Sequence, residues 1–233
     1  MSLLLLGLWV LIGGGLLAAL AGRSARLANL VGAATAVAGS AIALIPVVGV
    51  LVRGTSLPEW SWVWSVPFGS FTVGLDPLSA WFAAAILGLA ILAAVYGAGY
   101  LVHDADRKSL GPPWLFFNLL VAAMLLVVTA RNGMLFLVAW EGMALASFFL
   151  VTFEDEQSSV REAGRIYLIA SHLGAACLLL FFASFAAQAE SLDFSRLAAA
   201  AAANRLSETH AGVLFLLALV GFGAKAGFMP LHV

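Results

Sequence analysis

The feature that most constrains this chain is a succession of apolar stretches, each long enough to cross a lipid bilayer. An α-helix needs about 20 mostly apolar residues to span the hydrocarbon core of a membrane. Seven stretches meet this requirement, at residues 2–22, 27–52, 76–101, 113–130, 132–153, 164–187 and 210–229. The pattern predicts an all-α, polytopic transmembrane helical bundle of about seven spans.

Composition supports this class and excludes others. The chain is 63% hydrophobic and only 10% charged, whereas an ordinary globular domain is roughly 25% charged. Its net charge of −1 gives no indication of a nucleic-acid partner. The single cysteine, Cys177, excludes an intramolecular disulfide and an iron–sulfur cluster ligated by this chain alone. The four histidines lack metal-ligand spacing. We therefore expect no cofactor and no metal in this chain.

The connections between the spans carry their own signals. Residues 57–77 alternate tryptophan with small polar residues, which predicts a short hairpin at the membrane interface; a binding platform is the less favoured alternative. Asp76 and Pro77 have the chemistry of a helix cap and a first helical residue. The alanine-rich segment 191–208 predicts a short helix outside the membrane. Since no repeat or linker divides the chain, we expect one membrane domain.

Basic residues near the helix ends predict the orientation. Six lie after the first, third and fifth spans, and four lie on the other side. The first set is Arg23, Arg26, Arg107, Lys108, Arg161 and Arg165; the second is Arg53, Arg131, Arg196 and Arg205. This small excess predicts an N-terminus outside the cell.

Two charged residues, Glu141 and Lys225, lie well inside predicted spans. A charge at the centre of a bilayer costs at least about 2.5–3.5 kcal/mol, and such residues most often mark an ion or proton path. The alternative is a structural ion pair between helices. Replacing a buried pair by apolar residues is often neutral or stabilising, so stability alone is a poor reason for one.

The surroundings of Lys225 predict an interrupted seventh helix. Gly223 and Gly227 flank the lysine and Pro230 follows, so we expect the helix to break at these three residues. Broken helices at membrane depth are typical of ion sites in transporters. The alternative is a closely packed glycine face with a kink.

A proton could be gated at these residues by one ion pair. Burial disfavours the charged form of a lysine, and a nearby carboxylate favours it. Glu141 is the natural partner of Lys225, so making and breaking their contact would change which of them holds a proton. His172, a third polar group within a span, suits either a relay between them or a hydrogen bond between helices.

The segment "GFGAKAGFMPLHV" (221–233) closely resembles the seventh-helix signature of the proton-conducting, antiporter-like membrane subunits. That family includes membrane subunits of respiratory complex I, Mrp-type antiporters, hydrogenase-4 and formate hydrogenlyase, and the hydrogenase branch resembles this chain most. Supporting stretches are "LDPLSAWF" (75–82), "VAWEGMALASFFLV" (138–151) and "IASHLGA" (169–175). The resemblance runs from about residue 70 to Val233.

The resemblance implies a set of site residues and a division of the chain. The key glutamate of the family falls on Glu141, its key lysine on Lys225, and a histidine of the hydrogenase branch on His172. Residues 1–70 would form two leading helices and an outer-face loop. Residues 71–233 would form the N-terminal part of the proton-conducting domain, and we expect the chain to be an N-terminal fragment.

The function implied is that of a proton-translocating membrane subunit of a hydrogenase, formate hydrogenlyase or NADH:quinone oxidoreductase-type complex. Its partners would be the other membrane and hydrophilic subunits, the lipid bilayer and protons, in a bacterial or archaeal cytoplasmic membrane. Electron transfer would belong to the partner subunits. The alternatives are an Mrp-type Na⁺/H⁺ antiporter subunit and a non-conducting membrane anchor of a hydrogenase.

Overall fold

The computed structural model describes residues 1–62, 64, 69–203 and 207–228. Seven of its helices are long and apolar enough to cross a membrane, which confirms the predicted all-α, multi-pass class. These are α1 (Ser2–Leu20), α2 (Ala25–Arg53), α3 (Pro77–Tyr100), α4 (Gly111–Thr129), α5 (Gly133–Val151), α6 (Ser158–Ala189) and α8 (Glu208–Ala226). The short helix α7 (Phe194–Ala202) and the strands β1 (Leu57–Trp62) and β2 (Phe71–Leu75) lie between them.

The helix ends gather at two faces of the bundle. The hairpin face carries Met1, the β1–β2 hairpin and residues 130–132 and 190–194; there Val73 bridges Ala130, and Asn132 bridges Asp193. The loop face carries residues 21–24, 101–110 and 152–157; there the Ser109 hydroxyl donates to the Gly22 carbonyl at 3.1 Å. Each face is therefore joined across several loops.

Helices α1 to α4 form the best-packed part of the bundle. Helix α1 packs on α2 and α4, α2 packs on α3, α5 packs on α4, and α6 packs on α5 and α8. Membrane helices approach closely where small residues meet. Gly14 of α1 shows this, because an added methyl group there would overlap the side chain of Thr35 on α2.

Buried polar side chains also join α2, α3 and α4. The indole N–H of Trp114 donates to the side-chain carbonyl of Asn29 at 2.9 Å, and the Asn29 amide donates to the Ala98 carbonyl at 2.8 Å. One turn further along α4, the Asn118 amide donates to the Gly32 carbonyl at 3.1 Å. These bonds satisfy groups for which hydrocarbon offers no partner, so they fix how the three helices are rotated against one another.

The predicted hairpin is confirmed as an antiparallel pair of strands, with Trp60 opposite Val73 and Trp62 opposite Phe71. The rings of Trp60 and Phe71 meet edge to face, with centroids 6.0 Å apart. The predicted cap at Asp76 is confirmed too, because its carboxylate accepts from the Ser79 backbone N–H at 2.7 Å.

An ion pair that the sequence did not predict holds the hairpin face together. Arg131, in the turn between α4 and α5, donates from Nη2 to the Asp76 carboxylate at 2.7 Å. Its Nε also lies 3.8 Å from Oε1 of Glu59 on β1. Burial would raise the pKa of Asp76, but the Ser79 N–H and the Arg131 charge outweigh it, so the pKa lies below its ordinary value.

A second ion pair joins two loops at the loop face. Lys108 donates to the Phe153 carbonyl at 2.5 Å and to the Glu156 carboxylate at 2.6 Å. The hydrogen bond to Glu156 raises the pKa of Lys108, and the same bond lowers the pKa of Glu156. This ion pair joins the loop before α4 to the loop after α5, and so fixes the position of these two helices relative to each other.

We predict that Asp76→Asn lowers thermal stability at neutral pH, because it removes the charge that Arg131 binds. A carboxylate with a lowered folded-state pKa stabilises the fold above its unfolded value of about 3.9. That contribution is lost as the pH falls through the lower folded-state value. Melting temperatures of both proteins across pH 7 to 3 test this: the difference should shrink at the acid end. A difference independent of pH would contradict the assignment.

Candidate functional site

Glu141 lies near mid-height in the membrane, eight residues after the start of α5 at Gly133. At 1.5 Å per residue it is about 12 Å from the hairpin-face end of the helix. The start of α5 is fixed by Asn132, whose side-chain oxygen accepts from the Met134 N–H at 2.9 Å. Glu141 therefore lies near the middle of its helix.

Glu141 faces His172 of α6. Carboxylate Oε2 lies 3.6 Å from ring Nε2, within ion-pair distance. The other ring nitrogen, Nδ1, lies 2.9 Å from the carbonyl oxygen of Leu168. Because a carbonyl can only accept, we assign the proton to Nδ1, which leaves Nε2 as the nitrogen that gains or loses one. The two groups therefore attract when one proton is held between them, on the carboxyl or on the imidazole.

The second carboxylate oxygen of Glu141, Oε1, is buried and has no hydrogen-bond partner among the described residues. A buried polar atom without a hydrogen-bond partner is costly. Glu141 is also only about one-third exposed in its side chain, while His172 is about half exposed. The carboxylate is thus the less solvated member of the pair.

Lys225 contacts a residue of α6 rather than Glu141. Its ammonium donates to the Tyr167 hydroxyl at 2.8 Å, and Nζ lies 5.1 Å from the centre of that ring. No carboxylate of the described residues lies within 4.0 Å of Nζ, so the expected direct pair with Glu141 is not formed. The reason is depth: Tyr167 precedes His172 by five residues, about 7.5 Å nearer the loop face.

Two serines lie near the pair of Lys225 and Tyr167. Ser147 of α5 and Ser171 of α6 both lie close to the Tyr167 hydroxyl, and Ser171 directly precedes His172 in the chain. Tyr167 and Ser171 are four residues apart, so they share one face of α6. A set of polar side chains, here named the polar track, thus lies within the spans α5, α6 and α8. Its members are Glu141, Ser147, Tyr167, Ser171, His172 and Lys225.

The seventh span ends one residue after Lys225, earlier than the predicted residue 229. Gly227 takes a left-handed conformation with φ 71° and caps α8. Its N–H and that of Phe228 both approach the Gly223 carbonyl, the latter at 3.0 Å. Gly223 is therefore inside the helix and Gly227 ends it, whereas Pro230 lies outside the described residues. A cation in the last turn is stabilised by the helix dipole, which favours Lys225 here.

Helices α6 and α8 pack closely at two glycines. A methyl group on Gly221 would lie 2.7 Å from Cγ of Leu178, and one on Gly174 would lie 3.2 Å from the Gly221 carbonyl. The sequence suggested close packing at Gly223 and Gly227 instead. Since Gly221 lies one turn before Lys225, this contact sets the distance between the lysine and α6.

We predict that Gly221→Ala destabilises the protein by about 1–3 kcal/mol, the usual cost of overpacking. It should also impair any activity that depends on Lys225, since α8 must move away from α6. Gly212→Ala is the matched control on the same helix, because a methyl group there meets nothing within 4 Å. Unfolding and activity of the two variants test this, and equal behaviour would contradict it.

Comparison with known proteins shows which membrane subunits this chain resembles. A family model described as NADH:quinone oxidoreductase/Mrp antiporter, TM, matches residues 130–233, the part that carries the polar track. Hydrogenase-4 component B of Escherichia coli (strain K12) is 33% identical over 165 residues, which is 71% of this chain and 24% of that protein. The chain is a relative of these antiporter-like membrane subunits.

A second relative shows a similar identity over a similar part of the chain. The NADH-quinone oxidoreductase subunit L of Mycobacterium tuberculosis is 34% identical over 166 residues, covering 70% of this chain and 25% of that protein. The chain thus spans about a quarter of the length of these curated antiporter-like relatives.

Solved structures show the same fold. A chain of the Mrp complex from Dietzia sp. DQ12-45-1b superposes with a TM-score of 0.77 at 24% identity, covering 94% of this chain and 23% of that one. A chain of the membrane-bound sulfane sulfur reductase, an archaeal respiratory membrane complex, gives a TM-score of 0.76 at 27% identity, covering 97% and 34%. The antiporter-like fold is confirmed.

The sequence singles out Glu141, His172 and Lys225 as polar groups within spans, but it does not single out Tyr167. The signal was present in the stretch "YLIASH", where a phenol and a serine four residues apart precede the histidine on an apolar helix. A hydroxyl is cheaper in a membrane than a charge and attracts less notice in a search for charged residues.

Proposed function

We propose that this chain forms part of a proton-translocating membrane subunit of a hydrogenase, formate hydrogenlyase or NADH:quinone oxidoreductase-type complex. The observation that carries this proposal is the polar track, which contains an acid, a base and an ammonium group at membrane depth. Its residues would move protons, and partner subunits would supply the electron transfer. Residues 71–233 would be the part of the conducting domain present here.

The polar track has the properties of a proton path rather than of a structural ion pair. Ionisable groups in a membrane are costly and are retained where they serve transport. A structural pair would join opposite charges directly, yet Lys225 donates to a neutral phenol and Glu141 faces an imidazole. Each group can therefore change protonation without breaking a direct ion pair between the two charges.

The same residues define the steps that this chain could perform. The pair of Glu141 and His172 can take up one proton, because Nε2 and the carboxylate both accept. Lys225 can release one, because its described partner is a hydroxyl and not a carboxylate. Moving a proton from Lys225 to the pair neutralises the ammonium and leaves the pair with a shared proton. A conformational change driven by the partner subunits would then return Lys225 and the pair to their starting protonation states.

The relatives and the basic residues support the finer parts of the proposal. Two relatives bear the names of hydrogenase-4 and NADH-quinone oxidoreductase subunits. The excess of basic residues at the loop face favours that face as the cytoplasmic one, which would place the N-terminus and the hairpin outside a bacterial or archaeal cytoplasmic membrane.

We predict that Lys225→Ala and Glu141→Gln each reduce proton translocation about 10²-fold or more in the full-length protein within its complex. The measurement is proton uptake into vesicles containing the complex, beside its electron-transfer rate and its assembly. Glu162→Gln is the matched control, because Glu162 lies at the loop-face end of α6, with a largely exposed side chain.

Assembled variants that translocate protons at the unaltered rate would contradict the proposal and favour a membrane anchor. Translocation that requires sodium would favour an Mrp-type antiporter subunit instead. The expected result is loss of coupling in the Lys225 and Glu141 variants and normal coupling in Glu162→Gln.

A further inference from the structure

We propose that Tyr167 is the relay residue through which Lys225 exchanges protons with the pair of Glu141 and His172. This inference rests on the proposed function and adds a residue that it does not require. The two charged ends of the polar track lie at different depths, and the phenol is the side chain that contacts one end directly. The Tyr167 hydroxyl accepts from Lys225 Nζ at 2.8 Å.

The hydroxyl has the hydrogen-bonding capacity that a relay needs. A phenol accepts through its oxygen and donates its own proton. Because the oxygen of Tyr167 accepts from Lys225, its proton is available to another acceptor. Ser147 and Ser171 lie close to the hydroxyl, on α5 and α6. Ser171 lies one turn after Tyr167 on α6, at the depth of His172, so it brings the proton to the level of the pair.

The transfer balances atom by atom. Lys225 gives a proton to the phenol oxygen as the phenol gives its own proton to the Ser171 hydroxyl. That hydroxyl releases its proton to bridging water, which passes a proton to Glu141 and His172. Each oxygen gains one O–H bond and loses one, so no phenolate accumulates. The net change is a neutral Lys225 amine and one proton held by the pair.

A groove opens at the loop face near the turn of α6 that carries Tyr167. Its lining includes Phe148, Thr152, Arg165 and Leu168, the residue that follows Tyr167. The titratable groups of the described residues that face the track are Lys225 from α8, Glu141 from α5 and His172 from α6 itself. Arg165 lies at the groove with a largely exposed side chain.

A purely structural role for Tyr167 leads to a different expected result. The ammonium also lies 5.1 Å from the ring centre, a distance at which a cation is attracted to an aromatic face. Phenylalanine keeps the ring and its contact with Lys225 but removes the hydroxyl. Tyr167→Phe therefore separates the relay from the ring contact.

The experiment measures proton translocation by the full-length protein in its complex, reconstituted into vesicles, for Tyr167→Phe. The expected result is a loss of about tenfold or more with assembly intact. Tyr96→Phe is the matched control, because Tyr96 is an exposed tyrosine of α3 that stacks on Tyr100. It should translocate protons at the unaltered rate.

A second measurement tests whether the phenol proton itself moves. Replacing Tyr167 with 3-fluorotyrosine keeps the hydroxyl and its contacts but makes the phenol more acidic. A relay predicts a changed translocation rate and a changed solvent isotope effect. A positioning role predicts neither. This variant also tests the relay if Tyr167→Phe fails to assemble.

The outcomes separate the relay from the proposed function. Full translocation by Tyr167→Phe, with loss in Lys225→Ala and Glu141→Gln, would overturn the relay alone. An unaltered rate and isotope effect with 3-fluorotyrosine would also overturn it, even if Tyr167→Phe is impaired. Full translocation by all three single variants would overturn the proposed function as well.

Discussion

The cost of an ionisable group in hydrocarbon is the constraint on which this structure depends. Lipid offers no hydrogen bonds, so each charged side chain at membrane depth needs a partner from the protein. Glu141 finds an imidazole and Lys225 finds a phenol. Neither partner is a permanent opposite charge, so both charges stay responsive to a proton. A site built for stability alone would have joined them directly.

The rest of the bundle sets the geometry in which those partners meet. Helices α1 to α4 pack through small residues and through the hydrogen bonds of Asn29, Trp114 and Asn118. Arg131 ties the start of α3 to the start of α5 at the hairpin face. On this frame α5 holds Glu141 at mid-height, and the close contact of α6 with α8 brings Lys225 to Tyr167.

The sequence predicted the elements well because length and capping are local properties. Seven apolar stretches became seven spans, Asp76 became a cap, and the tryptophan-rich loop became a hairpin. It also located Glu141 and Lys225, since a charge in an apolar run is visible without a structure. Their partners were not predictable, because apolar helices of this kind carry no clear periodicity that reports how each is rotated.

The partner of Lys225 depends on where α8 ends. The left-handed Gly227 stops that helix two residues after Lys225, and Lys225 lies at the level of Tyr167 and not at that of Glu141. The most direct test is an electron cryo-microscopy structure of the full-length protein in its complex. We predict Lys225 Nζ within hydrogen-bond distance of the Tyr167 hydroxyl and the Glu141 carboxylate directed at His172. Direct pairing of Lys225 with Glu141 in every observed state would contradict this account.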